Sequence, residues 1–298
     1  MRRLTVPSYA KVNFTLDVLS RRPDGYHNIA SVMQTVSLAD CLELEEVEEP
    51  GVRLQCDAPG IPHDDTNLAC RAAAAALRKS GSGRGVLIRL IKRIPVQAGL
   101  GGGSSNAAAA LRGVNQLLDL GLTTEELAEL ASDLGSDVPF FLTGGTASVR
   151  GRGDRVTALP DAPQLWFIIA MPAVHVSTQR AYQALDALPH RVSARSTRSM
   201  EALVAARDLQ RIASRMTNDF EQVVLAEEPA VAVAMDDLLM ARARNARLCG
   251  SGSAVFGVAF DRSEAEEVAR LLRLRPYSVT VCRSVNREEA LRLGDAVE

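Results

Sequence analysis

A short stretch near the start of the chain alternates strictly between apolar and polar side chains. In residues 11–19, KVNFTLDVL, every even position is apolar, and the polar positions include Lys11, Asn13, Thr15 and Asp17. A period of two residues is typical of a β-strand, because successive side chains point to opposite faces of the sheet. The pattern therefore predicts a strand with one apolar and one polar face.

Turn and helix signals divide the rest of the first half of the chain. Pro-Asp-Gly at 23–25 predicts a turn, and residues 29–47 have strand character as far as the Pro-Gly break at 50–51. Asp65-Thr66 predicts the cap of a helix through the alanine-rich run that follows, and GVLIRLIKRI then predicts a buried strand. The opening of the chain is predicted to be rich in β-structure.

The pattern restarts past Pro160. Strands are predicted at LWFIIAM, AVFGVAF and YSVTVCRSV, with helical segments across residues 179–244 and a helix across EAEEVARLLRL. The break between the two series falls at residues 158–165. The sequence therefore predicts two domains, residues 1–160 and residues 161–298.

The glycine-rich stretch PVQAGLGGGSSNAAAAL, residues 95–111, carries the most chemical information. It follows a predicted strand, and a helix signal starts near Ser104. Glycines let backbone N–H groups converge, and the first amides of a helix carry partial positive charge, so the segment is suited to phosphates. The predicted phosphate-binding residues are Gly99, Leu100, Gly101, Gly102, Gly103, Ser104 and Ser105. The two serines can cap the helix, bond a phosphate oxygen or hold the Mg²⁺ that accompanies ATP.

Other glycine-rich phosphate motifs do not fit this stretch. A Walker A loop needs a lysine directly after a glycine, and none of the three lysines has one before it. A dinucleotide fingerprint started at Gly99 or at Gly250 meets no glycine at its sixth place. The protein-kinase triplets H-R-D and D-F-G are absent from the sequence. A flexible connector is the remaining alternative, but a connector needs no helix directly behind it.

Asp137 and Lys11 are candidates for a phosphoryl-transfer centre. Such a centre needs a group that accepts the proton of the attacking hydroxyl, and LGSDVPFF offers Asp137 ahead of an apolar run. Local sequence alone favours a turn cap at Asp137, through Pro139. Lys11 can neutralise developing charge and keep a nearby carboxylate ionised, but taken alone it is interpreted as a surface lysine.

Two further segments stay open on local sequence, and a third does not. Tyr26 and His27 either pack the preceding turn or bind a heterocycle by stacking and hydrogen bonding. LCGSGSAVF, residues 248–256, either approaches a phosphate or makes a tight turn into a strand. GRGDRV, residues 151–156, is interpreted as a hairpin turn without an adhesive role.

Composition and charge narrow the classes of function. A net charge of −2 and a pI near 6.2 provide no basic field for nucleic acid or an anionic membrane. Five scattered cysteines without a CxxC pair are typical of reduced thiols in the cytoplasm. No leader pattern or membrane-length apolar segment is visible. We expect a cytoplasmic protein with local anion sites; no pattern fixes its oligomeric state.

Five motifs follow one another along nearly the whole chain: AKVNF, RRPDGYH, GLGGGSSNAAAAL, GSDVPFF and LCGSGSAVF. Together they resemble the galactokinase, homoserine kinase, mevalonate kinase and phosphomevalonate kinase superfamily. The resemblance implies an α+β, two-domain small-molecule kinase. Its N-terminal, ribosomal-protein-like α/β domain would bind ATP, its C-terminal domain would be ferredoxin-like, and the active site would lie in the cleft between them.

The resemblance also implies a reaction and roles for residues. AKVN with DGYH resembles the branch that transfers the γ-phosphate of ATP to the 2-hydroxyl of a cytidine diphosphate-linked methylerythritol in the non-mevalonate isoprenoid pathway. Lys11 and Asp137 match the catalytic pair. Substrate-recognition positions match Asn13, Tyr26, His27 and Tyr182. In these roles His27 hydrogen-bonds the cytosine, and the two tyrosines stack on it. ATP and Mg²⁺ are implied, but no motif matches a carboxylate ligand for the metal.

Gln97 and Ala98 stand where glycines often precede the G-L-G-G-G-S-S core of the superfamily, so we expect an effect on ATP affinity. Two other functions stay open. A superfamily member that acts on homoserine or a mevalonate derivative would not require the Tyr26-His27 pair. A nonenzymatic RNA-binding protein would fit the many arginines and the ribosomal-protein-like topology, but the acidic pI opposes it.

Overall fold

The alternating stretch forms the central strand of the fold. In the computed structural model, which describes residues 2–189 and 193–297, β1 extends over Arg3–Arg21 and pairs antiparallel with β2 (His27–Val47) along most of its length. Between them, Gly25 has a φ of 87°, an angle that glycine adopts without steric cost. The predicted strand and the Pro-Asp-Gly turn are confirmed, and β1 begins well before the alternating residues.

Further strands and helices follow in chain order. The strands are β3 (Gly51–Cys56), β4 (Gly85–Ile91), β5 (Thr146–Gly151), β6 (Arg155–Ala158), β7 (Trp166–Met171), β8 (Thr217–Asn218), β9 (Ala246–Leu248), β10 (Val255–Ala259) and β11 (Ser278–Arg283). The helices are α1 (Leu68–Ser80), α2 (Gly102–Leu117), α3 (Thr124–Leu134), α4 (Val138–Thr143), α5 (Thr178–Ala187), α6 (Thr197–Ala205), α7 (Leu209–Ser214), α8 (Glu221–Glu227), α9 (Pro229–Met240), α10 (Arg262–Leu272) and α11 (Arg287–Leu291). The predicted RGD hairpin turn is confirmed between β5 and β6.

The cap of α1 differs from the prediction. Asn67, not Asp65-Thr66, is the N-cap, and its side chain accepts a hydrogen bond from the N–H of Ala69 at 2.9 Å. Asp64 instead accepts bonds from the N–H and the hydroxyl of Thr66, which closes a turn before the helix. Local side-chain bonding therefore shifts the helix start to Leu68.

Among the described residues, strands form two sheets. The first contains seven strands in the order β3-β4-β2-β1-β8, and β5 with β6 extends it from the N-terminal half of β2. The second contains four antiparallel strands in the order β11-β7-β10-β9. Helices lie between β7 and β9 and between β10 and β11, which gives the β-α-β-β-α-β succession of a ferredoxin-like domain. The predicted α+β fold is confirmed.

β1 lies where the two halves of the fold meet. Its apolar side packs onto the second sheet, where the ring centroids of Phe14 and Phe167 are 6.4 Å apart. β8, from the second half of the chain, pairs parallel with β1 at Thr15 and Leu16. The polar face is also covered, because Asp17 accepts bonds from the first amides of α6. Residues on the polar face of β1 are therefore interior groups.

The five cysteines all lie in the described part of the chain and carry free thiols, as predicted. Burial raises the pKa of the Cys70 thiol to about 11 and that of Cys282 to about 12, so both stay protonated at neutral pH. Throughout residues 2–189 and 193–297, every helix is too short or too polar to cross a membrane.

Candidate active site

The glycine-rich segment leads from β4 into α2 through left-handed backbone angles. Gly99 and Gly101 have φ values of 79° and 74°, and Gly101 is the N-cap of α2. The helix therefore begins at Gly102, ahead of the predicted start near Ser104, because a glycine turn sets its start and not a serine side chain. The first amides of α2 adjoin the loop, as phosphate binding requires.

A cavity of about 420 Å³ lies against this loop. Its lining includes Gly99, residues 101–103 and Ser104, and it also includes Lys92 and Asn106. The positive end of a helix dipole and a lysine ammonium both favour an anionic ligand. The size falls within the usual range of small-molecule sites, about 300–1,000 Å³.

The turn between β9 and β10 packs against the loop. A Cβ on Gly99 would lie 1.8 Å from the carbonyl oxygen of Cys249, and a Cβ on Gly250 would lie 3.3 Å from Lys11 Nζ. Asn218 Nδ2 holds this turn by donating to the carbonyls of Leu248 at 2.9 Å and Gly250 at 2.7 Å. The second glycine cluster thus makes a tight turn into β10, as one interpretation had it, and it also packs against the glycine-rich loop; its approach to a phosphate stays a prediction.

Gly99→Ala should destabilise the fold and weaken nucleotide binding. The added Cβ overlaps a backbone carbonyl at a φ that only glycine adopts freely, so we expect a loss of about 2–4 kcal/mol in unfolding free energy. Thermal unfolding with and without an ATP analogue measures both effects. Gly103→Ala is the matched stability control, because its Cβ would meet only Leu68 Cδ1, at 3.8 Å. An unchanged melting temperature for Gly99→Ala would contradict the loop geometry.

Lys11 and Asp137 come together beside the loop. Lys11 Nζ lies 4.0 Å from Asp137 Oδ2, and the lysine is only 3% exposed. The alternative that Lys11 is a surface lysine is therefore wrong. The N–H of Lys11 also donates to the carbonyl of Leu100 at 3.0 Å, which fastens β1 to the glycine-rich loop. The separation of ammonium and carboxylate leaves room for a hydroxyl oxygen about 2.8 Å from each.

Asp137 stands immediately before α4, with its side chain 31% exposed. Among the described residues, its carboxylate makes no capping hydrogen bond to the helix that Pro139 helps to start. Its position near Lys11 is thus not explained by helix capping, the interpretation that local sequence favoured. The carboxylate is available to a bound ligand.

Asn13 fixes the direction of the Lys11 side chain. Its Oδ1 accepts a bond from Lys11 Nζ at 2.8 Å, and its Nδ2 donates to Ser31 Oγ at 2.9 Å. Irregularities in the β1–β2 register lie between Tyr9 and Ala10 and between Asn13 and Thr15, on either side of this pair. Such irregularities change the direction of side chains at functional sites.

The two serines of the loop have different surroundings. Ser105 is buried, its hydroxyl accepts a bond from Ser8 Oγ at 2.8 Å, and its N–H donates to the carbonyl of Gly101. Ser104 is only partly buried and lines the cavity. The structure therefore brings Ser104 and the glycines to the cavity and leaves Ser105 within the helix packing.

His27 lies at the start of β2 in contact with α5. Its Nε2 is 2.8 Å from Asp186 Oδ1, and its ring stacks on Tyr182 with centroids 4.7 Å apart. Tyr26 is 57% exposed, and the guanidinium carbon of Arg152 lies 5.6 Å from its ring centroid. Of the three predicted base-recognition residues, the structure brings His27 and Tyr182 together, and Tyr26 directly precedes His27 in the sequence.

Sequence reasoning missed several polar residues that hold this site in place. Asn218 and Asp186 follow no pattern that would single them out. Lys92 could have been singled out from the sequence, because it is one of only three lysines in the chain. Within residues 2–189 and 193–297, no cluster of three or more His, Cys, Asp or Glu side chains could hold a metal ion.

Two families match parts of the chain: GHMP kinases N terminal domain over residues 67–145, and GHMP kinases C terminal over residues 199–277. A 4-diphosphocytidyl-2-C-methyl-D-erythritol kinase from Geobacter sp. (strain M21) is 43% identical over 272 residues, which cover 90% of this chain and 94% of that protein. One from Symbiobacterium thermophilum is 46% identical, over 92% of this chain and 96% of its own. The chain belongs to the 4-diphosphocytidyl-2-C-methyl-D-erythritol kinase family.

Solved structures agree with membership of this kinase family. A crystal structure of 4-(cytidine 5'-diphospho)-2C-methyl-D-erythritol kinase matches 95% of this chain and 99% of its own, with a TM-score of 0.81 and 34% identity. A homoserine kinase from Cytophaga hutchinsonii matches with a TM-score of 0.73 at 21% identity, which shows a shared fold. The protein is thus an ATP-dependent kinase, and the alternative of a nonenzymatic RNA-binding protein is set aside.

Proposed function

We propose that this kinase transfers the γ-phosphate of ATP to the 2-hydroxyl of 4-diphosphocytidyl-2-C-methyl-D-erythritol, in the non-mevalonate route to isoprenoid precursors. The names of the relatives support the substrate, and the Lys11–Asp137 pair beside a phosphate-binding loop supports the chemistry. The observation that carries the choice of substrate is the His27–Asp186 hydrogen bond, because it prepares the histidine to recognise one base.

The bond between His27 and Asp186 selects a tautomer. An ionised carboxylate only accepts hydrogen bonds, so the proton of the neutral imidazole lies on Nε2 and Nδ1 is an acceptor. An acceptor complements the 4-amino group of cytosine and repels the 4-oxo group of uracil. His27 in this state favours a cytidine diphosphate-linked substrate, and Tyr182 restricts the ring to one plane.

In the proposed step, the acceptor hydroxyl lies between Asp137 and Lys11. Asp137 accepts its proton as the oxygen attacks the γ-phosphorus in line, while Lys11 stabilises the charge on that oxygen. The bond from the γ-phosphorus to the β,γ-bridging oxygen breaks at the same time, and ADP leaves. Asn13 keeps the ammonium directed to this place. No covalent enzyme intermediate is required, because positioning and charge stabilisation supply the catalysis.

ATP phosphates are assigned to the loop from Gly99 to Gly103, with Ser104 as the serine that lines the cavity. Mg²⁺ bound with ATP would neutralise charge on the phosphates. Ser104 is the side chain that we propose for contact with the metal or a phosphate oxygen.

Residues 1–160 and 161–298 remain the proposed domains of this kinase. Its location in the cytoplasm also remains a prediction.

Inhibition by nucleoside diphosphates tests the choice of base. We expect CDP to compete with the acceptor substrate and UDP to compete at least about tenfold more weakly, the discrimination expected when a buried polar group is left unpaired. ADP must be assayed in parallel, since it competes with ATP. Equal inhibition by CDP and UDP would reject the role of His27 and favour a homoserine-type or mevalonate-type acceptor.

Tyr26→Ala should weaken binding of the cytidine-linked substrate without harming the fold. A base stacked on an aromatic ring gains about 1–3 kcal/mol, so the KM of this substrate should rise by roughly 5- to 150-fold. The KM of ATP should stay unchanged. Tyr26→Phe is the matched control, because it keeps the ring, and steady-state kinetics with each substrate varied measures both values. A normal substrate KM in Tyr26→Ala would remove Tyr26 from the base site.

A further inference from the structure

Asp40 is a buried carboxylate beneath the glycine-rich loop, outside the groups assigned to the reaction. Among the described residues, four donors approach its oxygens, and its side chain is 0% exposed. Oδ1 accepts from the N–H of Arg93 at 2.7 Å and of Ile94 at 2.8 Å. Oδ2 accepts from Lys92 Nζ at 2.5 Å and from Asn106 Nδ2 at 2.9 Å.

These donors lie on both sides of the loop in the sequence. Residues 92–94 leave β4 and lead directly into Pro95, where the loop begins, whereas Asn106 lies in the first half of α2, just after the loop ends. One side chain on β2 therefore binds both the entry and the exit of the loop. Breaking any of these bonds would leave a buried charge or donor unpaired, so the loop ends are held firmly.

The same network reaches the nucleotide cavity and β1. A Cβ on Gly102 would lie 3.3 Å from Lys92 Nζ, so this ammonium lies beside the first residue of α2. Asn106 Nδ2 also donates to Ser8 Oγ at 2.8 Å, and Ser8 bonds Ser105 in turn. Lys92 and Asn106 both line the cavity, so a change at Asp40 is transmitted directly to its wall.

We propose that Asp40 is a positioning residue for ATP, which holds the glycine-rich loop in its phosphate-binding shape and fixes the Lys92 ammonium beside it. The proposal rests on the assignment of the loop to the ATP phosphates. A buried ion pair contributes little stability compared with apolar residues of the same volume. Asp40, however, binds residues at both ends of the loop, so we assign it a positioning role and not a stabilising one.

Asp40→Asn tests the proposal in the full-length protein. Asparagine keeps the size and one oxygen for the backbone amides, but its NH₂ group then faces Lys92 and Asn106, which are donors. We expect the KM of ATP and the Kd of the non-hydrolysable analogue adenylyl imidodiphosphate, measured by calorimetry, to rise roughly tenfold. The KM of the acceptor should stay unchanged. Hydrogen exchange should become faster in a peptide covering residues 95–105 and not in one covering β7.

Asp57→Asn is the matched control. Asp57 Oδ1 accepts from the N–H of Lys92 at 2.8 Å and Oδ2 from Arg93 Nη1 at 3.1 Å, but its side chain is 44% exposed, so water can replace it. This variant should keep the wild-type affinity for the analogue. Asn106→Ala is a second variant, for use if Asp40→Asn fails to fold. It breaks the tie to α2 and leaves the ion pair, so the analogue Kd should rise by a smaller factor.

Unchanged analogue binding in a folded Asp40→Asn or Asn106→Ala protein would overturn the proposal, as would equal increases in the KM values of both substrates. Analogue binding needs no acceptor alcohol. A wild-type protein that binds the analogue but does not phosphorylate the cytidine-linked alcohol would therefore contradict the proposed acceptor alone and leave the role of Asp40 standing.

Discussion

Asp137→Asn is expected to reduce kcat by about 10²–10⁴-fold, the usual contribution of a positioned general base. Asparagine has nearly the same shape but cannot accept the proton of the acceptor hydroxyl. The carboxylate makes no capping bond to α4 within the described part of the chain, so the substitution should leave the start of that helix intact. The Kd of an ATP analogue should stay near the wild-type value, because the phosphates are assigned to the loop. Rapid-quench or coupled assays, together with calorimetry, measure the two quantities separately.

Asp133→Asn provides the matched control for this substitution. Asp133 is an exposed carboxylate at the end of α3, in the segment that precedes Asp137. Its amide variant should have wild-type kcat. If Asp137→Asn retained wild-type kcat, or lost activity only through unfolding, the carboxylate would not be the base.

Lys11→Met should lower kcat by roughly 10²–10³-fold, as expected when one preorganised electrostatic partner is removed. Methionine fills the space of the aliphatic stem without a charge, so the acceptor oxygen loses its positive neighbour in a buried site. Asn13 Oδ1 loses the donor that lies at 2.8 Å, which should cost about 1–3 kcal/mol of unfolding free energy. The acceptor KM should rise less than kcat falls.

Lys79→Met is the control, because Lys79 is a partly exposed lysine that faces Glu126 and Glu129 on α3. Its variant should retain wild-type kinetics, since surface ion pairs contribute little. Equal kinetic effects of the two substitutions would mean that the charge of Lys11 acts only through the overall field of the protein.

The strand around Lys11 and the glycine-rich loop could be predicted from the sequence, because both follow from rules that act between neighbouring residues. The alternation around Lys11 required a strand, and consecutive glycines before helix formers required a loop that opens a helix. These rules depend on neighbours along the chain. They hold regardless of how distant segments pack.

Features that depend on distant segments were missed. β8 is a two-residue strand that forms because Thr217 and Asn218 pair with β1, which lies far from them in the sequence. The burial of Lys11 likewise follows from the covering of a polar strand face by the second half of the protein. Asp40 lies far in sequence from Asn106, so no local pattern could join them. The cap of α1 was missed for a different, local reason, because Asp64 takes up the N–H and hydroxyl of Thr66.

The most direct test of the central claim is a coupled assay of ATP turnover by the purified protein. It compares 4-diphosphocytidyl-2-C-methyl-D-erythritol with homoserine and mevalonate as acceptors. We predict turnover with the cytidine-linked alcohol alone, with one phosphate transferred per ATP consumed. Turnover with homoserine or mevalonate, and none with the cytidine-linked alcohol, would contradict the assigned substrate and the roles of Tyr26 and His27.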